Sequence, residues 1–146
     1  MEKELKIVQP NDPISHEDQT GTTVVFTAQK VAELIFAMPP AHRRYSTLLA
    51  QTVKTPHEIW WAWEEDPAHP GSWMLFRTYV SLWSFEAEAD QPATEAATIS
   101  RFIYDKQWQL AQMHVLTGQA ATEFETELNE KYRHGRLLYS QAKNDG

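Results

Sequence analysis

The sequence predicts one domain that mixes helices with β-strands, and three stretches carry that reading. Residues 99–104 (ISRFIY) and the evenly spaced Trp108, Leu110, His114 and Leu116 flank Asp105, Lys106 and Gln107, the pattern of a hairpin in the middle of a sheet. Residues 72–85 form the longest strand candidate, with Trp73, Leu75, Arg77, Tyr79, Ser81 and Trp83 on one side. Earlier in the chain, Val31, Leu34, Ile35 and Met38 recur at helical spacing. A helix over 106–116 is the alternative to the second hairpin strand, because Trp108, Ala111, Val115 and Leu116 also satisfy a helical period. The choice bears on function, since paired strands would bring His114 and Thr117 near Arg101 on one sheet.

Taken in order, residues 1–21 are polar and contain Pro10, Asp12, Pro13, Asp18 and Gly21, so a flexible N-terminal arm is expected. A single domain is expected over 22–141 and a frayed tail over 142–146. Residues 22–26 (TTVVF) suit a short strand, and Thr27 suits the N-cap of the helix that Pro39 and Pro40 end. A second helix over 41–53 would bury Tyr45, Leu48, Leu49 and Thr52, with His42 and Arg43 at its start. Thr55, Pro56 and Glu58 have the spacing of a capping box, which predicts another helical turn feeding residues 59–63. Trp60, Trp61 and Trp63 there suit core packing better than base stacking. Residues 66–71 (DPAHPG) are a loop, and the acidic, Ala-rich residues 86–97 read as a solvated connection. Phe124, Leu128 and Tyr132 mark a helix over 120–132, stopped by Arg133, His134 and Gly135, before a last short strand at 137–139.

At 146 residues the chain can bury one core without staples. It has no cysteine, which removes disulfides, thiolate catalysis and cysteine-based zinc sites, and fits a reducing compartment. The opening MEKELKIV lacks the long apolar run of a signal or anchor, so a soluble protein with no membrane partner is expected. Net charge is −7, which on average repels nucleic acid, yet the charges are segregated. Residues 34–57 and 131–143 contain no Asp or Glu, and between them hold Arg43, Arg44, Lys54, Lys131, Arg133, Arg136 and Lys143. If the fold brings these tracts together they make one phosphate-binding face, although such segregation also arises in ordinary solvated surfaces.

The histidines at 16, 42, 57, 69, 114 and 134 show no metal-ligand spacing, so no metal is expected. There is no glycine-rich phosphate loop, nucleophile elbow or cofactor fingerprint, so no cofactor is expected either. What remains is His, Arg, Lys, Thr and Tyr on and beside a sheet, the set that metal-free RNA cleavage requires. That reaction needs a base for the ribose 2′-hydroxyl, positive charge for the phosphorane and an acid for the leaving 5′-oxygen. Each residue also has a structural explanation: Arg77 as an arginine paired with a carboxylate, His114 as a packed strand histidine, Thr117 as strand-end chemistry and Tyr139 as an anchor of the last strand.

The segments AHRRYSTLLAQTVKTPHEIW, MLFRTYVSLW, QMHVLTG and EKYRHGRLLYS, in that order, resemble phage-associated members of the barnase, EndoU, colicin and RelE-like nuclease group. Such domains lie at the C-termini of phage head morphogenesis proteins and polymorphic toxins. The resemblance spans roughly 36–141 and is best at Thr52, Pro56, Glu58, Ile59 and Trp60, and at Arg133, Gly135, Leu137, Leu138 and Tyr139. It implies an α+β fold with N-terminal helices packed on one antiparallel sheet of about four strands, and a late helix before a short last strand. It also implies endoribonuclease activity on RNA, with transfer RNA among the candidate targets, in the cytoplasm of a bacterial host or target cell. By position it assigns catalytic roles to His42, Arg77, His114, Thr117 and Tyr139. Arg43, Arg44, Lys106, Arg133 and Arg136 are then the expected substrate-binding cations. An immunity protein or phage head protein is an expected partner, and a non-catalytic interaction module of the same fold is the alternative function. The net negative charge departs from the basic relatives that cut RNA.

Overall fold

A computed structural model describes residues 9–141. Within them the chain forms β1 (Ile14–Glu17), β2 (Thr23–Phe26), α1 (Ala28–Ala37), a 3-10 turn at Pro40–Tyr45, α2 (Ser46–Lys54), β3 (Glu58–Glu65) and β4 (Trp73–Phe85). It continues with β5 (Thr94–Asp105), β6 (Gln107–Gly118), a 3-10 turn at Ala121–Glu123, α3 (Glu125–Lys131) and β7 (Arg136–Ser140). The fold is α+β, but the sheet has seven strands in the order β1-β2-β6-β5-β4-β3-β7. Neighbours are antiparallel except β2 and β6, which run parallel, so the sheet is mixed. The expectation of about four antiparallel strands therefore fell short, and α1 and α2 are preceded by two strands instead of opening the fold.

The hairpin at the centre forms as a pair of strands, with Asp105 opposite Gln107 and Lys106 alone at the turn, in the left-handed region at φ 65°. The helical alternative over 106–116 is thereby excluded. Thr27 caps α1 as expected, its hydroxyl accepting from the Lys30 amide at 3.0 Å, and the helix stops before Pro39. The predicted capping box at Thr55 does not form. Thr55 ends α2, and Glu58 opens β3 because its carboxylate is taken by Arg133 and by the Trp60 indole instead of by a helix N-terminus. The second helix begins as a tight 3-10 turn, and the connection expected over 86–97 is shorter because β5 already starts at Thr94.

Helices lie on both faces of the sheet. On one face α1 and α2 bury Met38, Leu49 and Val53 against Ile59, Tyr79, Phe102, Met113 and Val115. A fully buried leucine such as Leu49 contributes about 1.5–3 kcal/mol. A directed chain of hydrogen bonds satisfies the polar groups here: the Trp83 indole donates to Thr98 at 2.8 Å, Thr98 meets Thr52 at 2.5 Å, and Thr52 donates to the Leu48 carbonyl. On the opposite face α3 buries Phe124, Leu128 and Tyr132 against Val80, Ala97 and Ile99. Residues 9–21, expected as part of a flexible arm, instead contribute β1 and the buried Asp18. Residues 1–8 and the expected tail at 142–146 lie outside the described residues.

Candidate active site

β5 and β6 send alternate side chains to opposite faces, and on the α3 face this places Arg101, Gln112 and His114 side by side. Arg101 is buried and holds four partners. Its Nε donates to the Thr78 hydroxyl at 3.1 Å, Nη1 donates to Gln112 Oε1 at 3.1 Å, Nη2 pairs with Glu64 Oε2, and the guanidinium stacks 4.1 Å from the Phe76 ring centre. Gln112 Oε1 also accepts from His114 Nε2 at 3.0 Å, which fixes the proton on that nitrogen and leaves Nδ1 as the acceptor. The His114 ring packs on Tyr132, with centroids 5.1 Å apart. Burial first, then the positive charges of Arg101 and Lys131, push His114 down to about 4, so the imidazole is neutral at pH 7.

The turn after α3 adds a second histidine. His134 Nε2 lies 3.3 Å from Glu64 Oε2 and donates to the Lys131 carbonyl at 3.1 Å. Gly135 makes this approach possible: its φ is +86°, and a β-carbon there would stand 2.3 Å from the Trp61 carbonyl. Arg133 locks the same turn to β3 through a bidentate pair with Glu58, at 2.8 and 2.6 Å. Glu64, Arg101, His134 and Lys131 thus border a hollow of about 350 Å³ that shares Gln112, His114 and Tyr132 with a neighbouring hollow of about 470 Å³. The second hollow runs to Met38 and His42 beyond the end of α1, so the two form one groove with one guanidinium, three imidazoles and three carboxylates along it.

The sequence-derived candidates divide between this groove and other places. His114 and His42 line it together. Arg77 is on the other face, buried and paired with Asp18. Thr117 lies three residues beyond His114 and therefore also faces away from it, and Tyr139 pairs in register with Ile59 and packs into the α1–α2 core. The expected convergence of His42, Arg77, His114 and Thr117 on one cleft does not occur. Among the expected substrate-binding cations, Arg133 is held by Glu58, Arg43 donates to the Phe36 carbonyl, and Arg44 stacks on Tyr45. Arg136 is exposed on the edge strand β7, and Lys106 is at the hairpin tip. The two acid-free tracts do meet the groove, at His42 and at Lys131 and His134, but Glu64, Glu127 and Glu130 line it as well.

Glu64, Arg101, Gln112, Tyr132 and His134 were not among the sequence-derived site residues. Arg101, Gln112 and His114 share a signal, since once β5 and β6 are paired their parity puts them on one face. Glu64 carries none, because in the sequence it is simply the first of three consecutive acids, Glu64, Glu65 and Asp66. Among the described residues no three His, Asp or Glu side chains are grouped to hold a metal ion, and no helix is long and apolar enough to cross a membrane. No curated protein and no solved structure matches the chain. Residues 2–140 match the family model described as phage-Barnase-EndoU-ColicinE5/D-RelE like nuclease2, and with nearly its whole length covered the chain belongs to that nuclease family.

Proposed function

We propose that the domain is a metal-independent endoribonuclease that cleaves RNA through the ribose 2′-hydroxyl. The observation that carries this reading is the Glu64 carboxylate held between the Arg101 guanidinium and the His134 imidazole at the open end of the groove. Glu64 Oε1, free of protein partners among the described residues, accepts the 2′-hydroxyl proton, and the 2′-oxygen attacks phosphorus. The exposed Lys131 ammonium and the Arg101 charge behind Glu64 offset the negative charge that builds on the phosphorane. His134 donates a proton to the leaving 5′-oxygen from Nδ1, since Nε2 faces Glu64 and the Lys131 carbonyl. The products are a 2′,3′-cyclic phosphate and a 5′-hydroxyl.

In this scheme neutral His114 and Gln112 contact the substrate without exchanging protons with it, and His42 marks the far end of the groove. Transfer RNA suits the scheme as a target because a structured loop presents splayed single-stranded bases. The experiment is incubation of the purified chain with total RNA and with transfer RNA in EDTA, followed by end-group analysis. Cyclic phosphate ends that vanish in Glu64→Gln and His134→Gln support the reading. Products with 3′-hydroxyl ends, or cleavage undiminished in both variants, overturn it.

A specific observation favours the second reading, an interaction module that binds a phage head, immunity or other protein. Trp63, Trp73 and Tyr104 are 63%, 60% and 53% exposed at one end of the sheet, on the face away from the groove. Exposed aromatic groups of this kind are enriched where proteins meet. Both readings hold together if the partner docks on that face while the groove cleaves RNA.

A further inference from the structure

Behind the groove, on the opposite face of the same strands, lies a cavity that the nuclease reading does not use. It has a volume of about 320 Å³, at the small end of ligand cavities, and sits between β1, the two helices α1 and α2, and the sheet. Phe26, Val31, Leu49, Phe102 and Leu110 give it apolar walls. Among the described residues its polar lining is His16, Ser46, Lys54 and Ser100, with no acid. His16 Nε2 is buried without a hydrogen-bond partner, an arrangement that costs roughly 1–3 kcal/mol unless something else supplies the bond.

We propose that this cavity binds a small monocarboxylate with an apolar body, its head held by His16 and Lys54 and its tail laid against Leu49 and Phe102. The His16 ring borders the cavity, and a turn of that ring brings its unpartnered, covered nitrogen to a carboxylate oxygen as a donor. Lys54, at the end of α2, supplies the charge that the described residues bring to the lining, and with no acid among them there a cationic head is disfavoured. The apolar walls require a body that gains by leaving water, in a volume that admits a short acyl chain or one ring system. The inference stands apart from the proposed RNA chemistry, because none of the four polar groups lines the groove. The cavity and the groove nevertheless share a wall: Ser100 and Phe102 line the cavity, Arg101, Gln112 and His114 line the groove, and Met113 borders both.

The test is a titration of the full chain with octanoate, octan-1-ol and octylamine, followed by amide chemical shifts in 1H–15N spectra. Octanoate is expected to bind most tightly and octylamine least, with the shifts centred on β1, α2 and β5. His16→Phe, which keeps a ring in place, should weaken octanoate by about tenfold, the worth of one charge-assisted hydrogen bond. Lys54→Met should erase the preference for octanoate over octanol. Ala50 is exposed at the cavity mouth, so Ala50→Trp should block all three ligands without disturbing the core, and it serves if His16→Phe fails to fold. No binding of octanoate at millimolar concentration, equal affinity for octanol, or octanoate binding that survives Ala50→Trp overturns the proposal.

Discussion

Arg77 donates to one oxygen of Asp18 from two nitrogens, Nε at 3.1 Å and Nη2 at 2.8 Å, across 59 residues of sequence. The Tyr79 hydroxyl donates to the same oxygen at 2.5 Å, and the Thr20 hydroxyl donates to the other at 2.7 Å. Both partners of the ion pair are buried, so the cluster pins the loop between β1 and β2 to the middle of β4. It makes the beginning of the described chain part of the fold and holds Arg77 on the face opposite the groove.

Burial alone would raise the Asp18 carboxyl, but the hydrogen bonds from Tyr79, Thr20 and Arg77 and the Arg77 charge hold it below the ordinary carboxylate value. A lowered folded-state value means that the pair contributes its full stability above the unfolded value near 3.8 and loses it as pH falls through the lowered one. Asp18→Asn leaves the Arg77 charge buried and unpaired, and should cost about 3–5 kcal/mol in urea unfolding at pH 7. The variant should also lose part of the wild-type decline in stability below pH 4. A loss under 1 kcal/mol would mean that the loop is not anchored here.

His114 is held neutral by burial and by the charges of Arg101 and Lys131. The folded imidazole takes a proton only near 4, while the unfolded one takes it near 6.5. Between those values the unfolded chain binds more protons, so this group makes stability rise with pH from 4 to 6.5 by no more than about 1.4 kcal/mol per unit, and stability is full above it. Imidazole carbon shifts followed by NMR should show His114 neutral down to pH 5. Protonation near 6.5 would show that the ring is not packed on Tyr132.

The elements were legible where a local signal and the tertiary context agree. Thr27 both carries a capping hydroxyl and sits before an apolar stripe, and the run 99–118 alternates over a length that long strands need. The signal failed where a distant partner decides. Glu58 has capping-box spacing, but Arg133, 75 residues later, takes its carboxylate. β1 is four residues long with polar neighbours, and only its pairing with β2 and the burial of Asp18 make it a strand. The site was half legible for the same reason. His114 and Arg101 follow from strand parity, whereas Glu64 joins them only because β3 lies beside β4 and because the Gly135 turn folds His134 over it.

Gly135 is the simplest point at which to test that closure. Its positive φ and the 2.3 Å approach to the Trp61 carbonyl leave no room for a methyl group. Gly135→Ala should cost about 1–3 kcal/mol and displace His134 from Glu64. The amide shifts of Arg133, His134 and β7 should move while those of β1 and α1 stay in place. Unchanged stability would mean that the turn is free to adopt another shape.

Gln112 separates the packing of the groove from its electrostatics. Its Oε1 joins Arg101 Nη1 to His114 Nε2, and Arg101 keeps Thr78 and Glu64 as partners if that oxygen is lost. Gln112→Leu should therefore leave the fold intact, cost about 1–2 kcal/mol, and let the His114 ring exchange tautomers, visible in its 15N shifts. Gln112→Glu keeps the shape and adds a negative charge 3.0 Å from the ring nitrogen. An opposite charge at that distance favours the imidazolium, so His114 should titrate well above 4 in this variant, although burial and Arg101 still oppose it. If Gln112→Glu leaves the titration where it was, Gln112 does not contact His114 in solution, and the hydrogen-bond chain from Arg101 through Gln112 to His114 is not the element that orders the groove.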